Sequence, residues 1–160
     1  QADKRLFTFV ETDGCFADGV AVATGCWLGH RTMRLIDYGK VAATFVDTEA
    51  HRAFRVWPHP NARQTATCYA PNAQGHWLAQ LEAYQTMPTD ELLCATEVHL
   101  NVSMEALISR AGLRVHCSTC GEEILNAREV MIDGQIMCKA CADGGYYAVI
   151  TPENATHDHD

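Results

Sequence analysis

Residues 11–30 read ETDGCFADGVAVATGCWLGH, and this stretch decides how the first half of the chain is interpreted. The start of this stretch continues the alternation of apolar and polar residues that begins at Leu6. This alternation predicts a strand over Leu6–Asp13. Glycines then bound a run rich in alanine and valine that predicts a helix over Phe16–Thr24. Cysteines bracket this helix, so a segment rich in reactive side chains is expected directly after the first strand.

Four side chains of this segment are candidates for a functional site: Cys15, Asp18, Cys26 and His30. Cys15 and Cys26 are eleven residues apart, about three helical turns, so both thiols are expected on one side, with Asp18 one turn from Cys15. Two thiols, an imidazole and a carboxylate suit zinc or another transition metal, or they lower the pKa of a thiolate nucleophile. The alternative is ordinary packing, because free cysteine is among the most buried residue types.

A second set of cysteines forms two Cys-x-x-Cys pairs, Cys117 with Cys120 and Cys138 with Cys141. Seventeen residues separate the pairs, which is typical of a structural zinc site. Between them, Asp133-Gly134 predicts a type I′ hairpin that returns the second pair to the first. Four thiolates close the coordination shell, so we expect a structural zinc and a module that unfolds without metal; disulfides are the alternative.

The length of 160 residues suffices for one core and a small module. We predict a core over residues 1–113, a zinc finger over 114–150 and a disordered tail over 151–160. No apolar run approaches the roughly eighteen residues that span a bilayer, and no signal-type segment follows the N-terminus. We therefore expect no membrane segment and a cytoplasmic location, and the paired cysteines also favour a reducing compartment.

The net charge of −8 bears on the class of partner. From Arg114 onward the chain has three basic and eight acidic residues. A finger of that charge gains nothing from neutralising phosphates, the main source of affinity for nucleic acids. We therefore expect no binding to DNA or RNA.

The rest of the core is predicted to alternate between short strands and helices. The strands are Met33–Asp37, Val41–Thr48, Ala53–Trp57 and Thr96–Val102, and the helices are Ala62–Tyr69, Gln74–Gln85, a short one from Pro88, and Met104–Ala111. The first three of these strands are expected to form a meander, with a tight turn at Tyr38-Gly39. Several of the arginines between residues 31 and 55 are expected on solvated strand faces, or alternatively around an anionic ligand.

Apolar spacing also predicts which side chains are buried. The second of these helices places Trp77, Leu78, Leu81 and Tyr84 at the spacing of a core-facing stripe. Cys68 and Cys94 have no partner at ligand spacing, so we expect both to be buried structural cysteines.

Three strings in the core resemble a known family. They are Cys15-x-x-Asp18-Gly19-Val20, Ala23-Thr24-Gly25-Cys26-x-x-Gly29, and Asp37-Tyr38-Gly39-Lys40 leading into the strand Val41-Ala42-Ala43-Thr44-Phe45. Together they resemble the FmdE family, whose name comes from formylmethanofuran dehydrogenase, and the similarity runs from about Phe7 to Tyr147. The chain departs from the family pattern in two ways. The first is that it starts without the family's His-x-His-x-x-Cys-Pro segment, so we expect part of the core metal shell to be missing. His30 stands where relatives commonly have lysine and could act as a ligand or a general acid/base.

The resemblance implies a fold and a set of partners. The implied fold is α+β: a thioredoxin-like core with a mixed sheet flanked by helices, a metal in the core, and a C-terminal treble-clef zinc finger. A homodimer is also implied. The chain itself carries no molybdopterin, iron–sulfur or nucleotide-loop pattern, so we expect large redox chemistry to lie in a partner.

Three functional hypotheses follow. The first, implied by the resemblance, is a metal-binding accessory subunit or metal-handling partner of a molybdenum-dependent formylmethanofuran dehydrogenase or a related oxidoreductase. The second is an enzyme in which Cys15 or Cys26 is a nucleophile or zinc ligand, Asp18 a base or orienting group and His30 a proton carrier. The third is a regulator that binds another protein through its finger.

Overall fold

The computed structural model describes residues 5–104 and 112–148. The chain divides into two compact units, Gln1–Asn101 and Val102–Asp160. The first is called the core and the second the finger unit. Nearly all of the predicted helix Met104–Ala111 and the whole predicted tail over 151–160 lie outside the described residues, and the predicted boundary near residue 113 stays a prediction.

The core is built on one five-stranded mixed sheet. Its strands are β1 (Leu6–Val10), β2 (Met33–Leu35), β3 (Ala43–Asp47), β4 (Arg52–Pro58) and β5 (Leu93–Val98). Their order is β2-β1-β3-β4-β5, with β1 and β2 parallel and the other neighbours antiparallel. The helices are α1 (Cys15–Thr24), α2 (Ala62–Tyr69), α3 (His76–Ala83) and α4 (Thr89–Leu92). This combination of a mixed sheet with helices confirms the α+β prediction.

The predicted meander is wrong for β2. This strand pairs with β1 and not with β3, because α1 carries the chain across the sheet and returns it parallel to β1. The following residues then wrap around the end of β1: the Val10 carbonyl accepts from the amide of Ile36, and the Glu11 carbonyl accepts from the amide of Tyr38. The Glu11 amide donates to the carbonyl of Ala42 on the opposite side. β1 therefore lies between the two strands that the sequence suggested were neighbours.

One face of the sheet packs against α1. Val20 and Ala21 of the helix contact Val10, Met33 and Ala43 of three adjacent strands in a single buried cluster. The helix ends at Gly25, whose φ of 69° is the left-handed conformation that glycine adopts without steric cost. The predicted helix is confirmed to within one residue.

α2 and α3 pack through alanine and not through large side chains. Ala66 and Ala70 contact Ala79 and Ala83, and all four are buried. The predicted core-facing stripe of α3 is therefore wrong for three of its members: Trp77, Leu78 and Leu81 are 71%, 36% and 49% exposed. Small side chains let two helices approach closely, so the alanine face is the one that is buried.

Two further expectations about the core need correction. Cys68 is exposed on α2, and Cys94 is only partly buried on β5 opposite Trp57. The last strand is Leu93–Val98 instead of Thr96–Val102, because the chain becomes extended at Leu93 directly after α4.

The finger unit contains two hairpins and a short helix. The elements are β6 (Arg114–His116), β7 (Glu123–Leu125), β8 (Val130–Ile132), β9 (Gln135–Met137) and α5 (Lys139–Asp143). β6 pairs with β7 and β8 with β9, both antiparallel. Asp133 and Gly134 have φ of 49° and 78°, the two positive values that a type I′ turn requires, which confirms the predicted hairpin. Within the described part of the chain, no helix combines the length and apolarity of a membrane span.

Candidate zinc site and the glycine-rich segment

The two hairpins and α5 place four thiols in one cluster. Cys117 follows β6, and its amide donates to the carbonyl of Glu122 while its carbonyl accepts from Gly121, so the chain reverses tightly around Cys120. Cys138 caps the N-terminus of α5, and Cys141 lies in the first turn of that helix. The hairpin of β8 and β9 thus returns the second pair to the first, as the sequence predicts.

The spacing of the sulfur atoms fits a zinc ion. All four Sγ atoms lie within 4.8 Å of one another, and those of Cys120 and Cys138 are 3.9 Å apart. A tetrahedral ion with Zn–S distances of about 2.3 Å needs sulfur atoms about 3.8 Å apart. All eight cysteines are free thiols, so the disulfide alternative is not observed. Four sulfur ligands fill a tetrahedral shell and leave no open position for a substrate, which makes this a structural site.

Backbone amides donate hydrogen bonds to sulfur atoms of the cluster and so stabilise negative charge on them. The amide of Cys138 donates to Sγ of Cys117 at 3.3 Å, and the amide of Cys141 donates to Sγ of Cys138 at 3.4 Å. Hydrogen bonds from the amides of Cys120 and Cys138 lower the pKa of Cys117 to about 6. The neighbouring Cys138 thiol raises the pKa of Cys141 to about 12, because crowded thiols cannot all ionise together. A divalent cation removes this conflict by binding all four as thiolates.

The candidate residues of the glycine-rich segment do not share one environment. Cys15 is exposed at the start of α1, and Asp18 and His30 are also exposed. Cys26 is only 3% exposed, and its thiol faces the carbonyl of Leu6 at 3.5 Å. The chain turns inward after α1, where the amide of Cys26 binds the Thr24 hydroxyl.

The structure does not bring these four side chains into a recognisable metal site. Among the residues that the structure describes, the finger cysteines are the only metal-ligating side chains that cluster in a group of three or more. The catalytic or metal-binding roles of Cys15, Asp18, Cys26 and His30 therefore stay predictions.

Sequence reasoning missed an ion pair between a buried carboxylate and a partly buried arginine at the edge of this segment. Glu11 is 7% exposed, and its two carboxylate oxygens accept from Arg55 at 2.6 and 2.8 Å. Arg55 also lies over the ring of Trp57, 5.2 Å from its centroid. These hydrogen bonds keep the pKa of Glu11 below its ordinary value, so it is ionised at neutral pH. The available signal was the alternation Phe7, Phe9, Glu11, which places the carboxylate on the same face as two buried rings.

Other arginines of the sheet also contact neighbouring side chains or backbone. Arg52 binds Glu97 across β4 and β5, with a shortest distance of 2.8 Å. Arg34 donates to the carbonyl of Met33 and lies over the ring of Phe7. These side chains are held by partners within the sheet, so they do not support the alternative of an anionic ligand framed by strand arginines.

Two family models match the chain. The first, described as FmdE, molybdenum formylmethanofuran dehydrogenase operon, matches residues 1–94. The second, a prokaryotic dksA/traR C4-type zinc finger, matches residues 111–147. The matches fall on the core and on the four-cysteine module that the structure shows separately.

A curated protein and a solved structure are similar to this chain. A probable S-adenosyl-L-methionine-binding protein from Archaeoglobus fulgidus is 28% identical to this chain over an alignment 164 positions long. The alignment covers 92% of this chain and 43% of that protein. This chain therefore spans less than half the length of that relative. The crystal structure of a tungsten formylmethanofuran dehydrogenase FmdE-like protein from Syntrophus aciditrophicus has a TM-score of 0.57 at 18% identity, and the match covers 89% of this chain and 74% of that one.

At 18% identity the structural likeness shows a shared fold and no more. The FmdE model, in contrast, covers more than half of the 160 residues and includes the glycine-rich segment that suggested the resemblance. The chain belongs to the FmdE family.

Proposed function

We propose that this chain is a zinc-binding accessory protein of a molybdenum- or tungsten-dependent formylmethanofuran dehydrogenase or a related oxidoreductase. The match of residues 1–94 to a family described by that enzyme's operon is the observation that carries the proposal. The solved FmdE-like protein, with the same fold, supports it. In this proposal the redox chemistry belongs to the partner subunits.

The finger is the part that we assign to contact with those subunits. Its zinc site is closed, so the metal serves to hold a surface in place. That surface includes exposed apolar side chains: Leu125 is 43%, Met131 60% and Tyr147 56% exposed. The net negative charge of the finger favours a protein partner over a nucleic acid.

The test is association with the subunits of a formylmethanofuran dehydrogenase. The 160-residue chain is co-expressed with them, and the mass of the complex is measured by native mass spectrometry. We expect a complex that is lost in Cys120→Ser, which breaks the zinc site, and retained in Cys68→Ser, which changes an exposed thiol elsewhere. A double variant, Met131→Ser with Tyr147→Ser, keeps the zinc ligands and is expected to weaken the complex. Failure of the wild-type chain to associate, with zinc bound, would contradict the proposal.

A second candidate is thiol or metal chemistry at the glycine-rich segment. It is favoured by the exposure of Cys15, which leaves this thiol accessible to a reactant. Elemental analysis separates the possibilities: one zinc per chain, unchanged in a Cys15→Ser/Cys26→Ser double variant, leaves only the finger loaded. Two metals falling to one in that variant would place the second ion in the core. The homodimer stays a prediction that the mass of the isolated chain will test.

A further inference from the structure

The core contains a cavity that none of the assigned functions uses. Its volume is about 560 Å³, within the range of about 300–1,000 Å³ that holds small-molecule ligands. The end of β4, α2, α3 and the start of β5 surround it, together with Phe16 of α1 and Val41. The described residues that line it include neither Cys15 nor Cys26, so it is distinct from the candidate thiol site.

Three polar side chains that line this cavity can each donate a hydrogen bond. Nδ1 of His59 accepts from the amide of Asn61 at 3.2 Å, so the proton of the neutral ring is on Nε2. Gln80 uses its Oε1 to accept from the hydroxyl of Tyr84 at 3.4 Å, which leaves its NH₂ group to donate. Arg63 adds a guanidinium, which has donors only. A ligand that satisfies these groups must supply acceptor atoms.

Arg63 differs from the other arginines of the core. Arg5, Arg52 and Arg55 each bind a carboxylate. Within residues 5–104 and 112–148, Arg63 forms no hydrogen bond or ion pair with another side chain. An exposed guanidinium that lines a cavity, and that has no side-chain partner among the described residues, is suited to bind a carboxylate or a phosphate through two parallel hydrogen bonds.

The walls of the cavity are mainly apolar. Phe16 and Tyr84 contribute rings, and Val41 and Leu93 remain 44% and 37% exposed to water. Covering such side chains with an apolar ligand is favourable by about 25 cal/mol for each Å² removed from water. The cavity thus combines apolar walls with three side chains that can donate hydrogen bonds.

We propose that this cavity is the binding site of a small organic anion that joins an apolar, ring-sized body to a carboxylate or phosphate group. The body lies against Phe16, Val41 and Leu93, and the anionic group lies at Arg63, with His59 and Gln80 as further donors. The site goes beyond the accessory role proposed above and needs neither the zinc site nor a partner subunit.

The test uses three probes that separate body from charge. Phenylacetate carries a carboxylate, phenylacetamide is its neutral isostere, and phenyl phosphate carries the alternative anion on the same ring. Binding to the zinc-loaded full chain is followed by ¹H–¹⁵N NMR. We expect shifts centred on residues 58–63 and 80–93, and an affinity for the carboxylate or the phosphate at least about tenfold above that for the amide. The stronger of the two anions identifies the headgroup.

Two variants test the role of the guanidinium. Arg63→Gln should reduce the preference for the anion to within about twofold, while the amide probe binds as before. Arg128→Gln removes the same charge from the finger and should leave the preference intact. The proposal is wrong if the preference survives in Arg63→Gln, if the shifts map away from the cavity, or if no probe binds with a Kd below about 10 mM.

Discussion

The core and the finger differ in what keeps them folded. Of the nineteen buried hydrophobic residues in the described part of the chain, only Cys117 and Ile124 belong to the finger. The core buries its apolar side chains between a five-stranded sheet and its helices. The finger instead has two hairpins, each made of two three-residue strands, and four cysteine thiols that lie within 4.8 Å of one another. We therefore expect hydrophobic burial to stabilise the first region and metal coordination the second.

Removal of zinc should have the largest effect, and only on the finger. With a chelator at neutral pH, we expect the amides of residues 114–143 to lose their dispersed NMR signals, because four thiols with so little buried surface do not hold the hairpins. The amides of β1 and β3 should stay protected from hydrogen exchange. Replacing Cys120 by serine should reproduce the result without chelator.

The matched control is Cys68→Ser, which should retain zinc and all finger signals. If the finger keeps its dispersed spectrum without metal, coordination is not what folds it. Loss of the core signals together with those of the finger would show that the two regions depend on each other.

The next largest effect concerns the ion pair between Glu11 and Arg55. Arg55→Met keeps the apolar stem near Trp57 but leaves the buried Glu11 carboxylate without its cation. We expect a loss of about 3 kcal/mol in the free energy of unfolding, measured by urea denaturation. The control is Arg52→Met, whose partner Glu97 is 54% exposed. An equal loss in both variants would mean that burial of the pair has no special weight.

The same ion pair predicts a pH dependence. The pKa of Glu11 is lowered in the folded state from about 4.5, so its contribution is fully present above that value and is lost as the pH falls through the folded-state pKa. Comparison with Glu11→Gln isolates this contribution, because Asp47 and other carboxylates titrate in both proteins. The stability difference should be largest near pH 7 and should shrink below about pH 4.5. A difference that stays constant down to about pH 3 would contradict the assignment.

The smallest expected effects have opposite signs within one helix. Gly25 ends α1 with φ of 69°, so Gly25→Ala should destabilise the core by about 1 kcal/mol through backbone strain. Gly19 lies within α1, and an added methyl group meets no atom within 4 Å. Gly19→Ala should therefore stabilise the core by about 0.5–1 kcal/mol. Thermal unfolding of the two variants measures both, and a stabilising Gly25→Ala would refute the assigned role of that residue.

The zinc ligands and the hairpin of the finger could be predicted because the sequence features that determine them lie within a few neighbouring residues. Cys-x-x-Cys spacing fixes two tight turns, and Asp133-Gly134 determines the hairpin that joins them. Each of these features is defined within a few neighbouring residues. No long-range pairing had to be guessed.

The core was predictable in its elements and less so in their arrangement. Strand and helix positions follow from periodicity, but periodicity does not say which strands pair, and β2 proved to lie beyond β1. The same limit explains the error on α3. Trp77 and Leu81 have the spacing of an apolar stripe, yet Ala79 and Ala83 face α2, because a close helix contact favours the smallest side chains.

Functional features were predictable only where the residues that form them are close in sequence, as in the zinc site. The Glu11–Arg55 pair joins residues 44 positions apart, so the alternation around Glu11 could place its carboxylate on a buried face but could not identify its partner, which depends on the strand order. The cavity likewise draws its walls from separate segments between residues 16 and 93. Only the assembled sheet and helices bring those residues together.

The position of β2 has a consequence for synthesis on the ribosome. β1, α1 and β2 lie within residues 6–35 and form a parallel strand pair joined by its own helix. β5, in contrast, pairs with β4 only after the 34 residues that separate the two strands. Because a chain emerges from its N-terminus and closing longer loops costs more entropy, the glycine-rich segment can assemble early, while the cavity is completed only when β5 arrives.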